Sequence, residues 1–484
     1  MKAQRYDLVA LFCALGAALF YVSFASRFFM GDDWLWLLEA HRALDDPLTL
    51  LQRNIYGYLR PLSLALLSIW SVIAGGSAPI YSAVSLVLHG TNVWLLYRVV
   101  IAYGGERSLA ITAAFMSAFY YLNAPAITWI SVTPDLMVTA LVLLFLRRYL
   151  AYAKQPTTRS LMPLVILGVA AVLIKESGFV CLGLFVAGGL IVRSHQRTRL
   201  VLPHAAIMVG VFAAYLAYYF ATRTVVDKEL AAGWSTVTHL WYFLAYALFP
   251  LSARIADMIP DSLAPLLTAL RIISIIAVPV LFFAVWRFAG AVGRAFLAWS
   301  ILFVATISLF QWDVSLVSLY PERTAARYMY SVNFGYSVLL AWVLTTFWKR
   351  WLAKRRLAGA AVVILAILFL AGNVTVVTKV TAKYRTEQDK NRRMFDTVVG
   401  QVEAAAVDSV CVRVPETAQM PGLLTKPRFL QGMIAVGTDR VIPVHIERVD
   451  TTSLQKGTAG PASCAILRWD EVHDRLEPAG SAGY

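Results

Sequence analysis

Charge is what this 484-residue chain has least of: Asp, Glu, Lys and Arg together make up only 15% of it, against roughly 25% in an ordinary soluble domain. That scarcity excludes an ordinary soluble fold. Acidic residues are the scarcer sign, 28 against 43 basic, which leaves a formal charge of +15. Cysteine is nearly absent too, with four in the chain, so the chain is not a disulfide-built scaffold. There is no P-loop, no GxSxG, no HExxH and no Cys/His zinc spacing, so nothing points to a soluble cofactor or a metal. Paired half-sequence repeats of the transporter kind are missing as well.

What fills the chain is apolar. Hydrophobic residues make up 59% and mean hydropathy is +0.65. Apolar runs of about 20 residues recur, the length that crosses a bilayer as a helix. Backbone groups in lipid must be bonded internally, so the expected fold is an α-helical polytopic membrane protein. The first run, from Asp7 to Phe29, is long for a cleaved signal, although Ser23-Phe24-Ala25 offers a small-x-small triplet. We read it as a retained anchor.

The basic residues argue for topology and against a nucleic-acid partner. They cluster in short loops: Arg147, Arg148, Lys154 and Arg159; Arg193, Arg197 and Arg199; Lys349, Arg350, Lys354, Arg355 and Arg356. That is the positive-inside pattern. Lys2 and Arg5 keep the N-terminus cytosolic, so Asp32 and Asp33 emerge outside. The short run Pro61 to Ala74 and the aromatic stretch Thr238 to Met258 preserve this parity only as helices lying in the outer interface. Spans then fall at roughly 80–102, 107–124, 134–153, 161–175, 178–193, 200–222, 265–288, 294–311, 329–348 and 357–379. With the first they number about eleven, an odd count that puts the C-terminal tail outside.

The tail changes character, dividing the chain into a membrane domain, 1–379, and a small extracytoplasmic α/β domain, 380–484. Lys383 to Ala406 carries a spaced apolar face of Met394, Phe395, Val398, Val399 and Val402 and predicts a helix. Ser409 to Val414, Val441 to Ile446 and Cys464 to Trp469 predict strands. Cys13 and Cys181 lie in apolar spans as packing residues. Cys411 and Cys464, if outside the cytosol, either pair or remain two free thiols.

A few polar residues sit where a membrane protein has little use for them. Asp32-Asp33 follows the first span, and one reading is a helix cap, because Asp satisfies orphan amides at a helix start. The other is a general base at the outer face, taking a proton from an attacking hydroxyl. Arg60 before Pro61 is either a snorkelling residue at a helix start or a phosphate ligand. Lys175-Glu176 interrupts one apolar run as a hairpin turn, or meets an anionic substrate, with Glu176 pairing with Lys175 or Arg60. Asp135, after Thr133-Pro134, is a cap for the next span. Glu322, Arg323 and Arg327 precede Tyr328-Met329-Tyr330, and arginines outside run against the positive-inside bias, which favours a bound anion there. His89 and Asn92 predict an interhelical hydrogen bond.

In order, these motifs resemble the C-type glycosyltransferase superfamily: polytopic enzymes that use polyprenyl-phosphate sugars, among them protein O-mannosyltransferases and lipid A sugar transferases. The matching pieces are Gly31-Asp32-Asp33-Trp34, Tyr58-Leu59-Arg60-Pro61-Leu62, Leu88-His89-Gly90-Thr91-Asn92, Trp129-Ile130-Ser131 with Pro134-Asp135-Leu136, Lys175-Glu176, and Ala326-Arg327-Tyr328-Met329-Tyr330. The resemblance spans roughly residues 7 to 350 and does not reach the tail. It implies that Asp32 is the catalytic base and that Arg60 contacts the carrier phosphate. Relatives often carry an acid just before the Trp-Ile-Ser stretch. Here that stretch reads Ala124-Pro125-Ala126-Ile127-Thr128, so Asp135 or Glu176 would substitute.

The expected activity is transfer of a sugar from a polyprenyl-phosphate carrier to a glycan, lipid or protein acceptor outside a cell's inner membrane, by inverting displacement. Asp32 and Asp33 would be catalytic. Arg60, Lys175, Glu176, Asp135, Arg327 and Tyr328 would bind substrate, and no metal would be needed. A transporter or flippase of lipid-linked sugar is the alternative.

Overall fold

The computed structural model describes residues 2–52, 57–192, 198–222, 233–248, 261–310, 312, 314, 325–352, 358–405, 409–415, 427–438, 440–449, 464–470 and 475–478. Pro250 to Met258, Glu322 and Arg323, singled out from the sequence, lie outside that set, as do Arg193, Arg197, Lys354, Arg355 and Arg356.

The described chain is mostly helical, and its apolar helices make it a multi-pass membrane protein. Six helices among the described residues are long and apolar enough to cross a membrane. They are Ala78–Ala102, Ile130–Lys154, Pro203–Ala221, Ala264–Phe288, Gly290–Ser308 and Ala360–Ala404. A seventh crossing is present if Arg107–Phe119 and Tyr121–Thr128, bent by 53° at their junction, count as one. The apolar helices Tyr6–Val22, Pro61–Ala74, Thr158–Ile174 and Glu176–Gly188 are shorter.

The chain folds into two compact units. The first comprises Met1–Ala25, Ala83–Thr128 and Val132–Thr381. Its helices include α1 (Lys2–Val22), α4 (Ala78–Ala102), α5 (Arg107–Phe119), α6 (Ala124–Thr128), α7 (Thr133–Lys154), α8 (Thr158–Ile174) and α9 (Val180–Val192). They continue with α10 (Thr198–Ala221), α11 (Trp234–Leu248), α12 (Ala264–Phe288), α13 (Gly290–Ser308), α14 (Tyr330–Phe347) and the start of α15 (Ala358–Ala405). Local chemistry sets several ends: Pro134 stands in the first turn of α7, and Thr157 and Ser160 form a capping box at α8.

Buried polar side chains tie these helices together, since an unpaired polar group in an apolar interior is costly. His89 Nε2 donates to the Ala118 carbonyl at 3.1 Å. Its Nδ1 is therefore the acceptor in the neutral ring, and Tyr330 Oη donates to it at 2.9 Å. Asn92 Nδ2 donates to the Leu136 carbonyl at 2.9 Å and to Tyr330 Oη at 3.1 Å. Thr139 and Ser331 hydroxyls meet at 2.7 Å. The interhelical role expected for His89 and Asn92 is thus present, and it holds α4, α7 and α14 in one arrangement.

The second unit comprises Ser26–Ser82, Trp129–Ser131 and Ala382–Tyr484. It contains α2 (Asp33–Asp45), α3 (Pro61–Ala74), the end of α15, α16 (Pro427–Thr438) and a four-stranded sheet. The strands are β1 (Ser409–Pro415), β2 (Val444–Val449), β3 (Cys464–Asp470) and β4 (Arg475–Pro478), in the order β2-β1-β3-β4. β1 pairs in parallel with both β2 and β3, with Val412 opposite Ile446 and Leu467, and β4 runs antiparallel to β3. Cys411 is disulfide-bonded, while Cys13 and Cys181 are free thiols.

One hydrophobic core joins these pieces. It gathers Trp34, Leu35 and Leu37 of α2, Leu64 and Leu67 of α3, and Met394, Val398 and Val402 of α15. Phe429, Met433 and Ile434 of α16 join them, with Val410, Val412 and Leu467 of the sheet. A β-carbon added to Gly432 would lie 2.2 Å from the Trp34 carbonyl oxygen, so glycine is what lets α16 approach α2 this closely. Trp34 also stacks on Phe395, with ring centroids 5.6 Å apart and 18° between planes. Three features differ from the sequence reading. α16 and β4 are additional elements. The last apolar run and the tail helix form one continuous helix of 48 residues, because no Gly-Pro break separates them. β2 starts three residues later than Val441, since Pro443 carries no amide hydrogen for a ladder.

Candidate functional site

In the second unit the acid pair occupies the start of α2. Gly31, with φ +45°, turns the chain into the helix, a backbone conformation that side chains disfavour. Asp32 stands at the N-cap, and its carbonyl accepts the Leu35 and Trp36 amides at 3.1 and 3.2 Å. Its carboxylate makes no capping hydrogen bond and the residue is half-buried.

Asp33 is different. It is fully buried. One carboxylate oxygen accepts the Met30 amide at 3.0 Å and the other the Ser131 amide at 2.7 Å. Burial pushes its carboxyl up to about 7; the two amide bonds pull the other way, and the Asp32 charge adds to the rise. Adjacent helical residues point about 100° apart, so the two acids face different surroundings. Asp33 is spent on bridging the Met30 turn to the 129–131 segment, and Asp32 is the less buried acid of the two.

Arg60 caps α3 from an irregular backbone position, with Pro61 next in the first turn. Its guanidinium lies 4.2 Å from the Tyr58 ring centroid and 5.5 Å from that of Trp36. Trp36 is one helical turn beyond Asp32, so the Arg60 head group sits against the side chain next along the same face of α2. Aromatic faces hold a cation without neutralising it.

The first unit holds the other predicted residues. Asp135 and Lys175 are both buried and paired, Nζ to Oδ2, at 2.5 Å. Asp135 thus serves as the counter-ion of Lys175. The Lys175 ammonium also lies 4.7 Å from the Tyr328 ring centroid. Arg327 Nη2 donates to Tyr328 Oη at 3.1 Å. Tyr328 therefore contacts both cations, Lys175 and Arg327. Glu176 is half-buried in the 3-10 turn between α8 and α9.

Several partners were not read from the sequence. Tyr58, in the bed of Arg60, and Ser131, an Asp33 ligand, lie inside the quoted motifs but carried no signal of their role; Trp36, the other half of that bed, lies two residues beyond the first motif. Gln388 and Asn391 are buried polar residues on the α15 face that also carries Met394 and Val398. Two polar positions in an apolar stripe were a legible signal.

No protein-family model matches the chain, and no curated protein matches it in sequence. Solved structures do match in fold. ArnT from Cupriavidus metallidurans in the apo state superposes with a TM-score of 0.54 at 13% identity, over 98% of this chain and 94% of that one. The oligosaccharyltransferase of Archaeoglobus fulgidus in the apo form gives 0.52 at 13% identity, over 90% of this chain and 64% of that longer one. The same enzyme tethered to an acceptor peptide containing the NVT sequon gives 0.50. The chain shares its fold with these two membrane proteins.

Proposed function

We propose that this protein is a membrane glycosyltransferase that moves a sugar from a polyprenyl-phosphate carrier to an acceptor on the extracytoplasmic side. The observation that carries the proposal is the division of labour in the acid pair. Asp33 is fully committed to two backbone amides. Asp32 is half-buried at the N-cap of α2, one helical turn before Trp36, on which the Arg60 guanidinium lies. Asp32 takes the proton of the acceptor hydroxyl as its oxygen attacks the anomeric carbon. The bond from that carbon to the phosphate oxygen breaks, and its electron pair leaves with the lipid phosphate. A single displacement inverts the anomeric centre. Arg60 balances the charge that builds on the departing phosphate.

The topology proposed from the basic loops puts the acid pair and the tail outside. Its eleven crossings comprise the six long helices, the bent pair, α1, α8, α9 and α14. The disulfide at Cys411 supports an oxidising compartment for the tail. The fold shared with ArnT and an oligosaccharyltransferase supports the reaction class.

The test is transfer by the purified protein in detergent, from a polyprenyl-phosphate sugar to an envelope extract. Wild type forms a glycosidic bond, which a transporter would not. Asp32→Asn lowers turnover by roughly 10²–10⁴-fold, the usual value of general-base help, while melting and donor binding are retained. A fully active Asp32→Asn protein would refute the mechanism.

A further inference from the structure

The loop that delivers Asp32 to α2 runs from Ser26 to Gly31, and its backbone is held from the tail. Gln388 is 3% exposed and Asn391 is fully buried. Gln388 Oε1 accepts the Arg27 amide at 3.2 Å, and its Nε2 donates to Ser26 Oγ at 2.9 Å. Asn391 Nδ2 donates to the Phe29 carbonyl at 3.2 Å. The two residues are three apart, so they lie on one face of α15. One turn further, Phe395 packs edge-on against Phe28 at 5.4 Å and stacks on Trp34. At the end of the loop Asp33 accepts the Met30 amide. Every residue from Ser26 to Met30 is thus held by a hydrogen bond or a ring contact, and four of them, Ser26 to Phe29, are held by α15.

We propose that Gln388 and Asn391 are positioning residues for the acid at Asp32, making the C-terminal tail a working part of the transferase centre. A purely structural face would be filled by apolar side chains, as it is at Met394, Val398 and Val402. Two buried amides cost desolvation and return backbone geometry: each fixes a main-chain group of a loop that has no secondary structure of its own. A general base must stand within hydrogen-bond reach of the proton it removes, and a displacement near 1 Å can cost on the order of 100-fold. This inference rests on the reading of Asp32 as the base.

The experiment uses the full chain in detergent and two readouts: deuterium uptake by peptides covering residues 27–33, and the split between kcat and donor KM. Gln388→Leu and Asn391→Leu keep the apolar volume and remove the bonds. Both are expected to raise uptake in the loop and to lower kcat on the order of 10- to 100-fold, with donor KM nearly unchanged. Gln388→Glu, which can still accept from Arg27 and from the Ser26 hydroxyl, is expected to recover most of both. Val398→Ala, a core truncation on the same helix face, supplies the control at matched loss of melting temperature and should leave loop uptake unchanged. If the leucine variants behave as Val398→Ala does, the positioning role is overturned. Asp32→Asn separates the two claims. Full activity there refutes Asp32 as base, whereas loop uptake unchanged in the leucine variants refutes the tie from α15 whatever Asp32 does.

Discussion

Asp33 offers the sharpest test of how the acid pair is built, through the pH dependence of stability. Its carboxyl is fully buried and raised from 3.8 to about 7. Between those values the folded protein holds a proton that the unfolded chain has released. Stability therefore falls as pH rises. The contribution is fully present below pH 4 and is lost as pH passes 7. Three pH units at about 1.4 kcal/mol each give on the order of 4 kcal/mol. Asp33→Asn removes the titrating group. It also turns an amide NH₂ toward one of the two backbone N–H groups of Met30 and Ser131, at a cost of about 1–3 kcal/mol for the unsatisfied donor. The stability of wild type relative to the variant should be greatest at low pH and fall by on the order of 4 kcal/mol by pH 8, so that the variant becomes the more stable protein there. The assay is detergent melting of both proteins from pH 4.5 to 8.5. Parallel curves for wild type and variant would refute the assignment of the buried proton to Asp33. Turnover of Asp33→Asn should fall less than that of Asp32→Asn, because its oxygens face backbone amides.

Other perturbations read separate parts of the structure. Arg60→Ala should weaken binding of a polyprenyl-phosphate sugar by about 30- to 150-fold, from the loss of a charge-assisted bond worth about 2–3 kcal/mol; unchanged binding in a fluorescence titration would reduce Arg60 to a snorkelling residue. Lys175→Met leaves Asp135 buried without its ammonium and should destabilise by about 3–5 kcal/mol. Adding Asp135→Leu should return most of that loss in the same melting assay, and no recovery would argue against a closed pair. Gly432→Ala forces α16 away from the Trp34 carbonyl and should cost about 1–3 kcal/mol; an unchanged melting temperature would show that the packing of α16 on α2 does not require glycine there.

Much of the architecture could be read from the chain because membrane insertion depends on local composition. Span length, the basic loops and the short run Pro61 to Ala74 are all properties of contiguous residues. The strand at Ser409 to Val414 and the apolar face of Met394, Val398 and Val402 were equally legible, since alternation and helical spacing are periodic signals. α16 was missed because Pro427 to Thr438 contains two glycines, which weaken a helical pattern. One of them, Gly432, is there for a contact with α2 that no periodicity announces. The candidate site was legible only as residue types in order. That Asp33 and not Asp32 would be consumed by backbone amides depends on Ser131, 98 positions away.

By itself, the sequence determined that this chain lives in a membrane, where its long apolar helices fall, and which few polar residues stand out against the apolar background. The scarcity of charge makes each ionisable residue conspicuous, and hydrophobic runs need no partner to be recognised. Only the tertiary structure decided what those residues do to one another. It paired Lys175 with Asp135, laid Arg60 on Tyr58 and Trp36, buried Asp33, and brought Gln388 and Asn391 to the loop before Asp32. The reason is physical: desolvation, ion pairing and amide bonding depend on which groups from distant parts of the chain share a low-dielectric interior, and that is set by packing.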